Sequence, residues 1–330
     1  MLASFYKIAA AGMAALFLTG CSTLDTAPIN ASVDADHGGE NRVSDVFYSQ
    51  SGGDAAGDTL VGLTFSGGGT RAAAFSFGVL KGFADVPMGS GKLGSGNLLD
   101  RVDFVSGVSG GSVTAAYFGL KGVAALEDFR ERFLIRNAEE NLHESLLRPS
   151  NWLRIYNGGG NDRSNFPKWL DDNLFNGATF ADVLAHRRPT VWINASDIAN
   201  HAPFVFEPNT FRAFCSDLST LPLSEAVAAS AAVPFIFAPI SLKTFPEKCT
   251  YETPPWLTRG KAQGDSALLR AFARSIESYR DPEQVKFVRL LDGGITDNYG
   301  LSGLTIARAA ADTPYGPLNP RRQRGCDVPC

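Results

Sequence analysis

Apolar residues along this chain fall into short blocks separated by glycine-rich turns. Leu60-Val61-Gly62-Leu63-Thr64-Phe65 reads as a strand that runs into Ser66-Gly67-Gly68-Gly69. Residues 72–80 follow, apolar on nearly every side, which predicts a buried helix. Residues 102–105 form a second strand, turning at Ser106-Gly107 into a helix of small residues over 113–118. Two successive strand–turn–buried-helix units predict parallel βαβ architecture, whose strands are covered on both faces. Residues 191–195 and 288–291 are expected as later strands of the same sheet. Residues 126–147 read as a long amphipathic helix ended by Pro149, and 242–287 as an insertion with one helix (266–279) and a Pro-rich loop. The aromatics Trp152, Tyr156, Phe166, Trp169, Phe175 and Phe180 either cap a site or pack beneath a long connection; their spacing fits both. No repeat of about 20–50 residues is visible, which excludes solenoids and propellers.

The N-terminus follows a different pattern. Lys7 closes a short N-terminal region, and residues 8–17 are an apolar run of ten. Spanning a hydrocarbon core of ~30 Å takes ~20 helical residues, so the run suits a secretory leader rather than a membrane span. Leu18-Thr19-Gly20-Cys21 resembles the bacterial lipobox, which implies removal of residues 1–20 and a diacylglyceryl group on Cys21. An ordinary secretory signal is the alternative. Ser22 rather than Asp after the cysteine implies the outer membrane, facing the periplasm. Residues 21–57 read as the lipidated start and a flexible polar tether, with an arm packed on the domain as the alternative. The folded domain is expected over 58–312 and an irregular tail over 313–330.

Composition narrows the class. The 330 residues are 44% hydrophobic and 19% charged, against ~25% charged in typical domains. That excludes a disordered chain and a coiled coil. Thirty basic and thirty-four acidic side chains leave a net charge of −4, without the basic footprint of a nucleic-acid binder. Setting Cys21 aside leaves Cys215, Cys249, Cys326 and Cys330, an even number compatible with two disulfides in an oxidising compartment. Cys215–Cys249 and Cys326–Cys330 are the expected pairs. The four histidines (His37, His143, His186, His201) are scattered, and no Cys/His spacing suits zinc, so no metal is expected.

Three glycine-bearing motifs carry the candidate chemistry. Gly107-Val108-Ser109-Gly110-Gly111 fits G-x-S-x-G between a strand and a helix, a sharp turn that exposes Ser109 at the helix head. There, free N–H groups and a partial positive charge favour an alkoxide. Gly67-Gly68-Gly69-Thr70-Arg71 exposes backbone amides to an oxyanion or a phosphate. A dinucleotide site is the competing reading, because G-x-G-x-x-A fits loosely. Asp85, placed for a ribose, falls in a turn with no strand before it, and no G-K-[ST] is present. No cofactor is expected. Asp292-Gly293-Gly294 at a strand end presents a carboxylate without steric cover.

In order along the chain, these motifs resemble those of the patatin-like phospholipase family: a D-G-G-G-x-R-G loop, a G-x-S-x-G elbow, an A-S-x-A-x-P segment and a terminal D-G-A or D-G-G. The matching residues are Ser66 to Arg71, Gly107 to Gly111, Ala229-Ser230-Ala231-Ala232-Val233-Pro234 and Asp292-Gly293-Gly294, over about 60–305. The resemblance implies a three-layer α/β/α fold with a mainly parallel central sheet and a serine elbow. It implies Ser109 as nucleophile, Asp292 as its base, and the amides of Gly67, Gly68 and Gly69 as the oxyanion hole. Arg71, Gly107, Gly110, Gly111, Gly293 and Gly294 support them. It implies hydrolysis of fatty acyl esters of phospholipids or lysophospholipids, without cofactor or metal, at a membrane reached through Cys21. The loop departs from the pattern at Ser66 (for Asp) and Ala72 (for Gly), and only 38 residues follow Asp292, as if the C-terminus were cut short. A Ser109–Asp197–His201 triad is an alternative constellation. A general carboxylesterase and a non-catalytic lipid- or partner-binding envelope lipoprotein are the alternative functions.

Overall fold

The computed structural model of the chain describes residues 24–33, 61–88, 96–138, 156, 159–186, 189–260 and 266–310. The expected leader, Cys21, residues 139–147 of the expected 126–147 helix, Trp152, the tail beyond 310, and Cys326 and Cys330 lie outside the described residues, and within 126–138 the helix ends at Leu134 rather than running on.

Strand β1 (Val61–Phe65) passes through the glycine loop into α1 (Gly69–Ala84). A small ribbon of β2 (Pro87–Met88) and β3 (Gly96–Asn97) leads to β4 (Val102–Val108), which turns at Ser109 into α2 (Gly110–Lys121). Helices α3 (Ala125–Phe129), α4 (Phe166–Leu170) and α5 (Phe180–Leu184) precede β5 (Thr190–Asp197) and β6 (Ala202–Phe206). Next come α6 (Pro208–Ala213), α7 (Leu223–Ser230) and β7 (Ile240–Lys243). The last elements are α8 (Pro255–Gly260), α9 (Ala267–Ser278), β8 (Phe287–Asp292) and α10 (Ser302–Ala310).

The sheet runs β1-β4-β5-β8-β7, with β6 also on β5. Its central strands β1, β4 and β5 are parallel, while β6, β7 and β8 are antiparallel to their neighbours. Every residue of β4 and β5 is buried, as expected of strands covered on both faces. Adjacent residues of β5 identify the covers. A side chain at Gly119 of α2 would run into Val191, and one at Gly303 of α10 would meet the Trp192 ring at 2.7 Å. Val191 and Trp192 point to opposite faces, so α2 and α10 lie on opposite sides of the sheet. This is the expected three-layer α/β/α arrangement.

One feature of register positions the site. Strand β6 holds one edge of β5 from Ile193 to Asp197. On the other edge β4 pairs as far as Asn194, and β8 takes over at Ala195 from the opposite direction. The C-terminal ends of β4 and β8 therefore meet head to head. Ser109 follows the first and Asp292 ends the second.

Several expectations need correction or completion. Helix α1 is buried on one side only: Ala73, Ser76, Phe77 and Leu80 face the core, whereas Phe75 is 76% exposed. Residues 24–33, expected within a flexible tether, form an arm packed on the domain. Asn30 Nδ2 donates to Ser216 Oγ (2.8 Å), and the Lys243 N–H donates to Asn30 Oδ1 (2.8 Å). The N–H groups of Ile29 and Val33 donate to the carbonyls of Ser241 and Cys215. The stretch expected as an insertion is the connection between β7 and β8, and its Phe272, Ile276 and Tyr279 belong to the core. Phe166, Trp169, Phe175 and Phe180 pack against Phe237, Phe133, Tyr117 and Phe206, which favours the packing reading. Cys215 and Cys249 form a disulfide, the expected pair. Among the described residues no helix is long and apolar enough to cross a membrane.

Candidate active site

The elbow begins with backbone strain. Ser109 has φ 51°, a region costly for a residue with a Cβ. The conformation is held because neighbours overdetermine it. A Cβ on Gly110 would overlap the Gly69 carbonyl, and one on Gly107 would meet Cα of Ser112 at 2.5 Å. A Cβ on Gly111 would overlap the Phe65 carbonyl, so the head of α2 is wedged against the end of β1 and its loop. The Ser112 hydroxyl donates to the Ser109 carbonyl at 2.6 Å and closes the first turn.

A buried polar relay fixes the elbow from below. The Ser109 N–H donates to Ser230 Oγ (2.8 Å), and the Ser230 hydroxyl donates to the Asn194 carbonyl (2.6 Å). Asn194 Nδ2 donates to the Gly107 carbonyl (2.9 Å) and to Ser106 Oγ (2.8 Å), whose hydroxyl donates to the Gly300 carbonyl (2.7 Å). Ser106, Asn194 and Ser230 are fully buried, where an unmade hydrogen bond costs about 1–3 kcal/mol. Sequence reasoning quoted Ser230 within its motif without a role and missed Asn194 and Ser106. The A-S-A-A-V-P motif was the only local signal for any of them.

Asp292 reaches the same point from β8. Its N–H donates to the Ala232 carbonyl (2.8 Å), and its carbonyl accepts from the Ser196 hydroxyl (2.8 Å). Its carboxylate accepts the Gly294 N–H at 2.8 Å and lies within interaction range of the Ser109 hydroxyl. Burial pushes this carboxyl above the usual carboxylate range, while the Gly294 N–H and the Ser109 hydroxyl pull it partly back. Gly293 lies so close to the Asn194 carbonyl that no side chain fits there.

The glycine loop completes the cluster, with one correction. The Gly67 N–H donates to the Asn298 carbonyl at 3.1 Å, so of the three loop amides Gly67's is already engaged. Gly67 instead lies beside Ser109: a Cβ there would stand 3.4 Å from that of Ser109. Gly68 and Gly69, at φ 143° and 63°, remain exposed at the head of α1. Arg71 is exposed on the first turn of α1, with no hydrogen bond to the loop among the described residues.

The alternative triad is not assembled. The Asp197 carboxylate accepts from Tyr279 Oη (2.8 Å) and Asn200 Nδ2 (2.6 Å), with no bond to His201, which is exposed. A groove lined by Lys121, Asn176 and His186 lies at the other end of α2 from Ser109, about 18 Å along the helix.

The pieces brought together are a strained serine at a helix head, a buried aspartate at the facing strand end, and an open pair of glycine amides. Their order along the chain is also that of a known family: the model of the patatin-like phospholipases matches residues 63–305. No curated protein matches the chain. The family match covers most of the sequence and spans every motif of the site, and the chain therefore belongs to the patatin-like phospholipase family of lipid hydrolases.

Proposed function

We propose that the protein is a serine acyl hydrolase that cleaves fatty acyl esters of phospholipids or lysophospholipids through a Ser109–Asp292 dyad. The observation that carries this reading is the convergence of Ser109, held at φ 51° at the head of α2, with the buried Asp292 at the facing end of β8. Asp292 takes the hydroxyl proton as Ser109 Oγ attacks the ester carbonyl carbon. The negative charge on the tetrahedral oxygen is met by the N–H groups of Gly68 and Gly69. The N–H of Gly110, in the first turn of α2 where helical partners are lacking, adds to them. Collapse expels the alcohol, protonated by Asp292, and leaves an acyl-serine. Water, deprotonated by the same carboxylate, releases the fatty acid and restores Ser109. Asp292 thus serves both half-reactions without a histidine.

The lipobox-like Leu18-Thr19-Gly20-Cys21 supports placing the enzyme, lipid-anchored through Cys21, on the bacterial outer membrane facing the periplasm. The test is hydrolysis of a short-chain ester and of a phospholipid panel, with released fatty acid identified by mass spectrometry. Ser109→Ala and Asp292→Asn are expected to lose activity by at least about 10³-fold while remaining folded; His186→Ala and His201→Ala should keep most of it. A folded, active Asp292→Asn protein would overturn the dyad.

A further inference from the structure

We propose that the rim around Ser109 and Asp292 is a docking face for an uncharged, zwitterionic phospholipid surface, and that the packed N-terminal arm delivers it there. The proposal rests on the acyl hydrolase reading and adds to it how the substrate surface is met.

Among the described residues, six of the thirteen exposed large apolar side chains fall on two short segments joined at the site. Val233, Phe235 and Ile236 follow Ala232, whose carbonyl accepts the Asp292 N–H (2.8 Å). Ile295, Tyr299 and Leu301 follow Asp292 itself. Phe235 is 75% and Tyr299 69% exposed, although large side chains of this kind are ordinarily buried. Exposed apolar side chains gathered beside a site in this way mark an interaction surface.

The first segment is held outward. Phe235 has φ 70°, costly for a bulky residue. Its carbonyl accepts the Gly160 N–H (3.0 Å), and that of Ile236 accepts the Asn161 N–H (2.9 Å). The backbone is thus tied to residues 160–161 while the apolar side chains project away from the core. A strained loop pinned in this way presents Phe235 rather than burying it.

Charge selects the occupant. Between Glu225 and Lys243 the chain carries no charged residue, and between Asp292 and Arg308 only Asp297. The Asp297 carboxylate is taken up by the N–H groups of Tyr299, Gly300 and Ser302. These two segments carry no cationic residue, on a protein of net charge −4, so they supply no counter-charge to an anionic leaflet or an acidic protein patch. They suit a neutral lipid surface, where apolar side chains and a tyrosine settle at the headgroup boundary.

The arm leads to the same place. The Asp25 N–H donates to Asp162 Oδ2 (3.0 Å), and Asp162 directly follows the two residues that pin Phe235 and Ile236. Arg163 joins the arm to the domain through Asp25 (3.6 Å) and Glu225 (2.7 Å). Two residues, Ser22 and Thr23, separate Cys21 from Leu24, three chain steps that reach at most about 11 Å. An acyl group on Cys21 is therefore tethered within a short distance of the apolar tip. Anchor and rim act as two membrane signals on one side of the domain, the combination that makes anchoring stable.

The experiment uses the full-length chain carrying Ser109→Ala and vesicles of ether-linked phosphatidylcholine, which lack the ester bond. Hydrogen–deuterium exchange is followed with and without vesicles. Slowed exchange at 233–237 and 295–301, with residues 176–186 at the far groove unchanged, is the expected result. Unchanged exchange at the rim overturns the proposal, as does concentration-dependent protection of the rim without vesicles, which would assign the face to a second copy. A second arm uses Phe235→Ser combined with Tyr299→Ser on the active chain. Hydrolysis of phosphatidylcholine vesicles should fall at least about tenfold and that of a dispersed short-chain ester by less than about twofold. Equal losses on both substrates, or no loss on either, overturn the proposal. A wild-type chain inactive on the dispersed ester refutes the hydrolase reading alone, because exchange on unhydrolysable vesicles needs no catalysis.

Discussion

Two strand–helix junctions built from glycines stand side by side in this molecule and do opposite things. At β1–α1 the positive φ values fall on Gly68 and Gly69, which are exposed, and a Cβ on Gly69 would meet nothing within 4 Å. At β4–α2 the positive φ falls on a serine, and the flanking glycines are jammed against neighbouring backbone. The first junction offers amides to whatever arrives and keeps room around them. The second spends its room on aiming one side chain, and the surrounding backbone holds the strained conformation. Glycine alone therefore says little; what its missing side chain would touch separates an open cradle from a wedge.

The largest effect should come from breaking the wedge. Gly110→Ala puts a methyl group into the Gly69 carbonyl, and rigid backbone on both sides leaves no cheap relaxation. We expect loss of folding stability of at least about 3 kcal/mol, in the range of severe overpacking. Any folded fraction should have kcat reduced beyond tenfold, because Ser109 and Gly69 must move apart. Thermal melting alongside active-site titration with an acylating inhibitor checks this. A Gly110→Ala protein of native stability and rate would show that the junctions are not interlocked.

Next in size is the pH response that the wedge imposes on Asp292. Burial raises its pKa, and in the proposed dyad the ionised form takes the Ser109 proton. Log kcat/KM should fall by about one unit per pH unit below that raised pKa, an acid limb closer to neutrality than a solvated aspartate would give. Stability moves the other way. A carboxyl whose folded pKa lies above its unfolded value contributes stability at low pH, and loses it as pH rises through the folded pKa. Asp292→Asn should therefore melt no lower than wild type at pH 8 and lose any advantage at pH 4. A lower melting temperature at pH 8 would mean that the carboxylate stabilises the fold.

How much of this was legible in the sequence follows from the range of each interaction. The serine, the aspartate and the glycine loops lie in local motifs whose residue types are dictated by turn geometry, so they could be read directly. The strands β6 and β7 are four or five residues long and carry too little pattern to stand out. The meeting of β4 and β8 depends on pairing register with β5, which no local pattern encodes. The same holds for the relay through Asn194 and Ser230, and for the Asn298 carbonyl that takes up the Gly67 N–H. The exposure of Phe75 and the choice between tether and packed arm at 24–33 are not legible for a related reason: hydrophobicity and polarity report what a segment prefers, whereas its neighbours decide what it covers.

The smallest effect is expected at the open junction, and it tests the comparison most sharply. Gly69→Ala adds a methyl group into free space, so the cost is conformational: φ 63° disfavours a residue with a Cβ by about 1–2 kcal/mol. Spread over a domain of this size, that lowers the melting temperature by about 2–8 °C. The Gly69 N–H is retained, and the strain can be relieved by a small rotation of an exposed peptide. The expected loss in kcat/KM is therefore at most about tenfold, equivalent to ~1.4 kcal/mol of transition-state stabilisation. Paired measurement of the Gly69→Ala and Gly110→Ala proteins on one short-chain ester gives the ratio directly. Equal losses would mean that the Gly69 peptide is held as rigidly as the elbow, so that the cradle, like the wedge, is set before substrate arrives. A much smaller loss at Gly69 would place the site's rigidity in β4–α2 alone and leave the amides of the first loop to adjust to the developing charge.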